Sequence, residues 1–246
     1  MNRPPNSRQL SATLLAAGLL GCTPALADLA GISGTLTYYE ADGTTETTLA
    51  DAAYSVLDIH LDFSAENTHG YDNSETLARA IRFANFSASR LTSFVQNDAS
   101  GSIGSWRPQD SLEMPGIANP LIDSFVTMGG GVGMEAVSNS TDLPFNPWGD
   151  ATGEAIFNKN LRWHNYNTTQ TRVDSDLTIM IGRFVVTGQE ARDGANITLN
   201  GRADFNYGPG TGIYRQEFSQ KMIFTPGPAG LAALALGLGG TRRRRD

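Results

Sequence analysis

Three side chains able to do chemistry stand at alternate positions of one short segment: Asp58, His60 and Asp62, within the run from Ser55 to Ser64. In an extended chain, residues two apart project from the same face. An imidazole would then lie between two carboxylates, a set of donors suited to a metal ion or to proton transfer near neutral pH. The same trio also reads as the wet outer face of a strand whose other face, Leu57, Ile59, Leu61 and Phe63, is apolar. Only two further histidines exist, His69 and His164, and no His-x-x-x-His pair recruits them.

Oxygen ligands gather at two other places, Asp72-Asn73-Ser74-Glu75 and Asp174-Ser175-Asp176. Calcium is held by several carboxylate and carbonyl oxygens. Asp72, Asn73, Glu75, Asp174 and Asp176 are therefore candidates for a structural calcium ion, with solvated acidic loops as the alternative. Neither cluster follows the EF-hand spacing, and no other cofactor is expected. Flat aromatic faces offer a second kind of site. Sugar rings stack on such faces while amides and carboxylates bond their hydroxyls. Trp106, Trp148, Trp163 and Tyr166 are the candidates for glycan contact, unless these rings cap a core.

Catalytic motifs are lacking. There is no Gly-x-Ser-x-Gly elbow. Gly131-Val132-Gly133-Met134-Glu135-Ala136 matches the dinucleotide fingerprint in letters, but no strand–helix–strand unit surrounds it, so it reads as a turn. Glycoside hydrolysis needs two facing carboxylates, and the acidic residues are numerous enough to keep that as a third reading. The first two are a non-enzymatic surface protein and a carbohydrate-binding module.

The elements that would position these residues are short strands. Period-two patterns or β-rich runs occur at 35–39, 55–64, 77–86, 91–95, 124–128, 155–157, 161–166, 177–186, 196–200, 203–207 and 214–224. Gly, Pro, Asn and Asp punctuate the stretches between them. The expected fold is all-β, an antiparallel β-sandwich of jelly-roll type, with a terminal apolar helix at each end of the chain.

The two ends differ from the body. Arg3 and Arg8 precede an apolar run from Leu10 to Leu20, and Ala25-Leu26-Ala27 comes before Asp28. A basic start, a short apolar middle and small residues at −3 and −1 describe a secretory signal peptide, cleaved by signal peptidase between Ala27 and Asp28. Leu19-Leu20-Gly21-Cys22 competes as a lipobox. Cys22 is the only cysteine, so cleavage after Ala27 leaves a mature chain without disulfides or thiol chemistry. At the other end, Pro226-Gly227-Pro228 is followed by an Ala/Leu/Gly stretch from Ala229 to Gly240, and by Arg242, Arg243, Arg244 and Arg245. A dozen helical residues reach only about 18 Å against roughly 30 Å of hydrocarbon. This suits a transient sorting signal better than a permanent transmembrane helix.

The proline motif, apolar segment and arginine cluster resemble the PEP-CTERM sorting signal, over about the last twenty residues. Gly227 stands where that family usually has glutamate. The resemblance implies a bacterial protein handled by an exosortase-like membrane transpeptidase and delivered to the cell surface, outer envelope or extracellular matrix. Three body segments, Phe94 to Asp98, Asp123 to Gly129 and Gly182 to Thr187, resemble landmarks of uncharacterised planctomycete-type secreted proteins with this kind of tail. That resemblance implies a β-sandwich and supplies no catalytic residues.

The organisation is thus a signal peptide over 1–27, a β-sandwich over 28–225 and a sorting tail over 226–246. The whole chain has 18 Lys and Arg against 25 Asp and Glu. Without Arg3, Arg8, the four terminal arginines and Asp246, the body has 12 basic and 24 acidic residues, a net charge of 12 − 24 = −12. Such a body repels nucleic acid at long range, which argues against it as a partner. Extracellular polysaccharide is the macromolecular partner compatible with the loop aromatics.

Overall fold

The computed structural model describes residues 29–65, 67, 69–95, 97, 119–129, 140–141, 159–164 and 171–225, with only the backbone given at 84–85, 140–141 and 159–163. Among the described residues nine strands form: β1 (Gly31–Tyr39), β2 (Tyr54–Asp62), β3 (Leu77–Ser89), β4 (Phe125–Val126), β5 (Ser140–Thr141), β6 (Lys159–His164), β7 (Thr178–Thr187), β8 (Asn196–Asn206) and β9 (Tyr214–Ile223). They make two antiparallel sheets, one in the order β1-β2-β7-β4 and the other β5-β6-β3-β8-β9. The protein is an all-β sandwich. The chain passes repeatedly from one sheet to the other, so β2 finds its partner in β7, and β3 lies between β6 and β8. The segments read as signal peptide and sorting tail, with the apolar helix expected in each, and the strand expected at 155–157 lie outside the described residues. Among the described residues, no helix is long and apolar enough to cross a membrane.

Alternation decides which face turns inward. In β2, Leu57, Ile59 and Leu61 are buried, followed by Phe63, and they face the core between the sheets. In β7 the inward set is Ile179 and Ile181, then Phe184 and Val186, and the parity changes between them. A bulge absorbs the change. Ile59 pairs with Gly182 and His60 with Met180, leaving Ile181 as the extra residue. One inserted residue re-phases the strand, and both halves of β7 keep their apolar side chains inside. Across the core, Phe184 meets Phe86 of β3 with ring centroids 5.5 Å apart and Phe94 at 5.3 Å.

Three details depart from the sequence reading. Residues 91–95 are not a strand. Leu91 and Phe94 anchor in the core, while Val95 donates its amide to Val185 O and accepts from Ser124 N, bridging two loops and the edge of β7. The runs 196–200 and 203–207, read as two strands, join in the single strand β8, which ends at Asn206. Gly201 does not turn the chain; it lets β3 come close, since a Cβ there would sit 2.5 Å from Arg82 O. A short helix, α1 (Gly188–Arg192), follows β7. Its capping box is complete: Thr187 accepts from Glu190 N while Glu190 accepts from Thr187 N. Gly188 is required there because its Cβ would overlap Ala52 O.

Phe184→Ala is expected to destabilise the fold by about 3–5 kcal/mol, since it opens a cavity among tightly packed rings. Ile213→Ala, at an exposed position, should change stability by less than about 0.5 kcal/mol. Urea denaturation of the two variants beside the parent chain measures the contrast.

Candidate functional site

The outer face of β2 is partly covered: Val56 is buried on it, and Tyr54, Asp58, His60 and Asp62 are half-buried. Val56 and Val185 are buried there with Tyr39 and Ile122, in a second hydrophobic cluster opposite the main core. The cover is the 3-10 turn Pro120–Ile122, whose N-cap Asn119 accepts from Leu121 N and donates to Gly43 O. Arg183 of β7 lies within this layer, registered against Asp58 on one side and Phe125 on the other. Its Nε donates to Asp58 Oδ1 and its Nη2 to Asp58 Oδ2, both at 2.6 Å. Nη1 donates to Pro120 O at 3.2 Å, and the guanidinium lies 5.6 Å from the centre of the Phe125 ring. The side chains are only 11% and 18% exposed. Burial works against the charge on Arg183, but the hydrogen bonds and charge of Asp58 outweigh it and raise the pKa.

The expected Asp58–His60–Asp62 trio therefore divides. Asp58 is occupied by a bidentate pair with Arg183. Asp62 Oδ1 accepts from Ser64 N at 2.8 Å and closes a turn. His60 has its pKa lowered by burial, against the pull of Asp58 and Asp174, so it is held neutral. Arg183 was absent from the sequence-level candidates. Its signal was a lone arginine in the apolar run from Ile179 to Val186, which needs an acid on a neighbouring strand.

The calcium candidates turn their oxygens toward their own loops. Asp72 accepts hydrogen bonds from Ser74, from its side chain and, at 2.8 Å, from its backbone N to Oδ1, and these lower its pKa. Asn73 Nδ2 donates to Phe63 O and Ala65 O, and Glu75 pairs with Arg172. Asp174 Oδ1 accepts from Thr178 N and Asp176 N, and Oδ2 from Thr178 Oγ1; Asp176 contributes its backbone amide. Among the described residues, no group of three His, Cys, Asp or Glu side chains is placed to hold a metal ion.

Of the glycan candidates, Trp163 stands in β6 opposite Ile81 and Thr141, with only its backbone described. Trp106, Trp148 and Tyr166 lie outside the described residues. A different aromatic group forms at one end of the sandwich. Tyr71 stacks on Tyr207 at 5.1 Å and 21°, His69 lies 4.4 Å from Tyr214, and Tyr207 and Tyr214 meet at 5.2 Å. Phe205 backs this group and joins it to Phe63 in the core. His69 and Tyr71 are exposed. Sequence reading missed the cluster because its members come from the loop before β3, the end of β8 and the start of β9.

The five-stranded sheet carries the unusual charges. Its strands hold seven of the body's 12 basic residues (Arg79, Arg82, Lys159, Arg162, Arg202, Arg215, Lys221) but only two acids, Asp204 and Glu217, of 24. Comparison with protein-family models, curated proteins and solved structures finds no match.

Arg183→Met leaves a mostly buried carboxylate without its cation and is expected to cost about 3–5 kcal/mol, with most of the loss recovered in Asp58→Asn/Arg183→Met. Denaturant titration of the single and double variants reads this directly. His60 carries its own prediction. Its folded pKa lies below the ordinary histidine value of 6.5, so the unfolded chain binds the proton more readily. Stability from this group is full above pH 6.5 and falls as pH drops below it. The thermal midpoint should decline on acidification from pH 7 toward pH 5, with a shallower slope in His60→Gln.

Proposed function

We propose that this chain is an exported, non-enzymatic protein of the cell surface or extracellular matrix, its sandwich delivered by the N-terminal signal and sorted through the PEP-CTERM-like tail. The observation that carries this reading is the sequence of the last twenty-one residues, proline motif, apolar segment and four arginines in that order, which nothing in the body repeats. Arginines beside an apolar segment stay on the cytoplasmic side of a membrane, which would hold the tail inside while the body is outside. The sandwich suits that destination, since two hydrophobic clusters hold it together without a disulfide.

The test is fractionation of the producing cells combined with mass spectrometry of both ends of the native protein. An envelope or matrix fraction beginning at Asp28 and lacking its tail supports the reading. Intact tail on protein freely soluble in the medium argues against sorting. Replacing Arg242 to Arg245 with glutamine should shift the protein away from its normal fraction.

A second reading, carbohydrate binding, draws support from the aromatic group at the end of the sandwich. The outer face of Tyr71 is open to solvent while Tyr207 backs its inner face, the arrangement on which a sugar ring stacks. Tyr71→Ala is expected to weaken retention on a polysaccharide panel, run with and without calcium, and to leave the melting temperature unchanged. Sugar release in the same panel would instead favour a glycan-active enzyme.

A further inference from the structure

We propose that the outer face of the five-stranded sheet binds an acidic polysaccharide, a sugar chain bearing carboxylates, through Arg82, Arg202 and Arg215. In one row across the sheet, Arg162 of β6, Arg82 of β3 and Arg202 of β8 are paired in register, so like residues stand directly opposite one another on adjacent strands. The next row places Asp204 beside Arg215. Like charges directly opposite destabilise a sheet; exposed Glu217 of β9 ends the arginine row opposite Arg202, and the carboxylate that ion-pairs with the arginines is Asp204. Asp204, 7% exposed, sits beneath three guanidiniums: Arg202 Nε at 2.9 Å, Arg82 Nε at 3.4 Å and Arg215 Nε at 3.9 Å. Three cations share one anion. In each the nitrogen nearest the carboxylate is Nε, and among the described residues their Nη groups form no side-chain hydrogen bond.

Such Nη pairs are what a carboxylate uses best, because a guanidinium edge matches two oxygens at once. The three side chains are 42%, 34% and 60% exposed, so the edges are reachable from solvent. Lys221 adds a further charge two rows along, registered against Thr198, and Ser87 completes that row. Between the rows, Ser219 donates to Asn200. Hydroxyls and amides beside arginines suit a polymer of sugar hydroxyls with a charge on some rings. They suit nucleic acid less well, since a duplex carries a charge about every 1.7 Å and the −12 body would repel it. The body's net charge and this face have opposite signs, so attraction is local and begins only at close range.

The inference concerns a different surface from Tyr71 and requires no particular location, so its test uses the purified full-length chain. Binding to immobilised alginate, a polyuronate, is measured by biolayer interferometry beside neutral dextran and duplex DNA, over a range of sodium chloride. The chain should bind alginate, ignore dextran, bind DNA more weakly, and release alginate as salt rises. Arg82→Gln/Arg215→Gln should bind alginate about ten-fold more weakly or less, as expected for lost charge-assisted contacts, with a shallower salt dependence. Arg202→Gln/Asp204→Asn removes a cation together with the carboxylate beneath it, and supplies a folded variant if the first pair proves unstable. Tyr71→Ala should leave alginate binding unchanged. Alginate binding that is absent, matched on dextran, exceeded on DNA, or unchanged in a folded arginine variant would overturn the proposal.

Discussion

A guanidinium is not withdrawn from water unless an anion meets it, and the place of Arg183 in the middle of β7 imposes that demand on its surroundings. The answer is Asp58, opposite in β2, engaged by both arms of the fork. Because the pair lies on the outer face of its sheet, the fold must also cover that face. Pro120 O takes the remaining arm, Phe125 lies alongside the charge, and Ile122 packs with Val56 and Val185. One ion pair thus brings together the register of β2 with β7, the short strand β4 and the turn that precedes it. Around Val56 and Val185 the sheet is buried on both sides, an arrangement the alternating pattern of β2 does not announce.

The two sheets divide the work. The first is covered on its outer face around Val56 and Val185, where its charged pair turns inward on itself. The second has one sealed face and one open face, and the open face collects basic residues in a body that is otherwise strongly acidic. A buried carboxylate beneath several arginines fixes their stems and leaves their outer edges to solvent. That is a geometry for recognition of a charged polymer, whereas the Asp58–Arg183 pair is a geometry for holding a fold. The same residue types reach opposite ends through exposure alone. At the end of the sandwich, His69, Tyr71, Tyr207 and Tyr214 form a third kind of surface, apolar and partly open, which shares the core's own aromatic packing through Phe205.

Much of the fold was legible locally. Leu57, Ile59, Leu61 and Phe63 alternate with polar residues, so β2 and its inward face follow from a period of two. The β-rich runs at 177–186 and 214–224 likewise match β7 and β9. The break expected at Gly201 was misplaced because glycine has two uses, turning a chain and letting another backbone approach, and only the neighbour β3 selects between them. The irregular course of 91–95 had a similar origin. Its apolar residues look like a strand, yet they serve as plugs for a core lined by Phe184 and Phe224.

The sequence by itself determined the class of fold, the inward faces of its longest strands, the acidic balance of the body and the composition of its two ends. These are properties of neighbours along the chain, and period and composition express them. The tertiary structure decided partnership: that Asp58 meets Arg183 and not a metal, that three arginines gather over Asp204, and that three distant segments build the aromatic group around Tyr71. Each joins residues from separate strands or loops, up to 145 positions apart between His69 and Tyr214 (214 − 69). Local pattern carries no record of such meetings, because they are set by strand order and register, which the whole chain settles together.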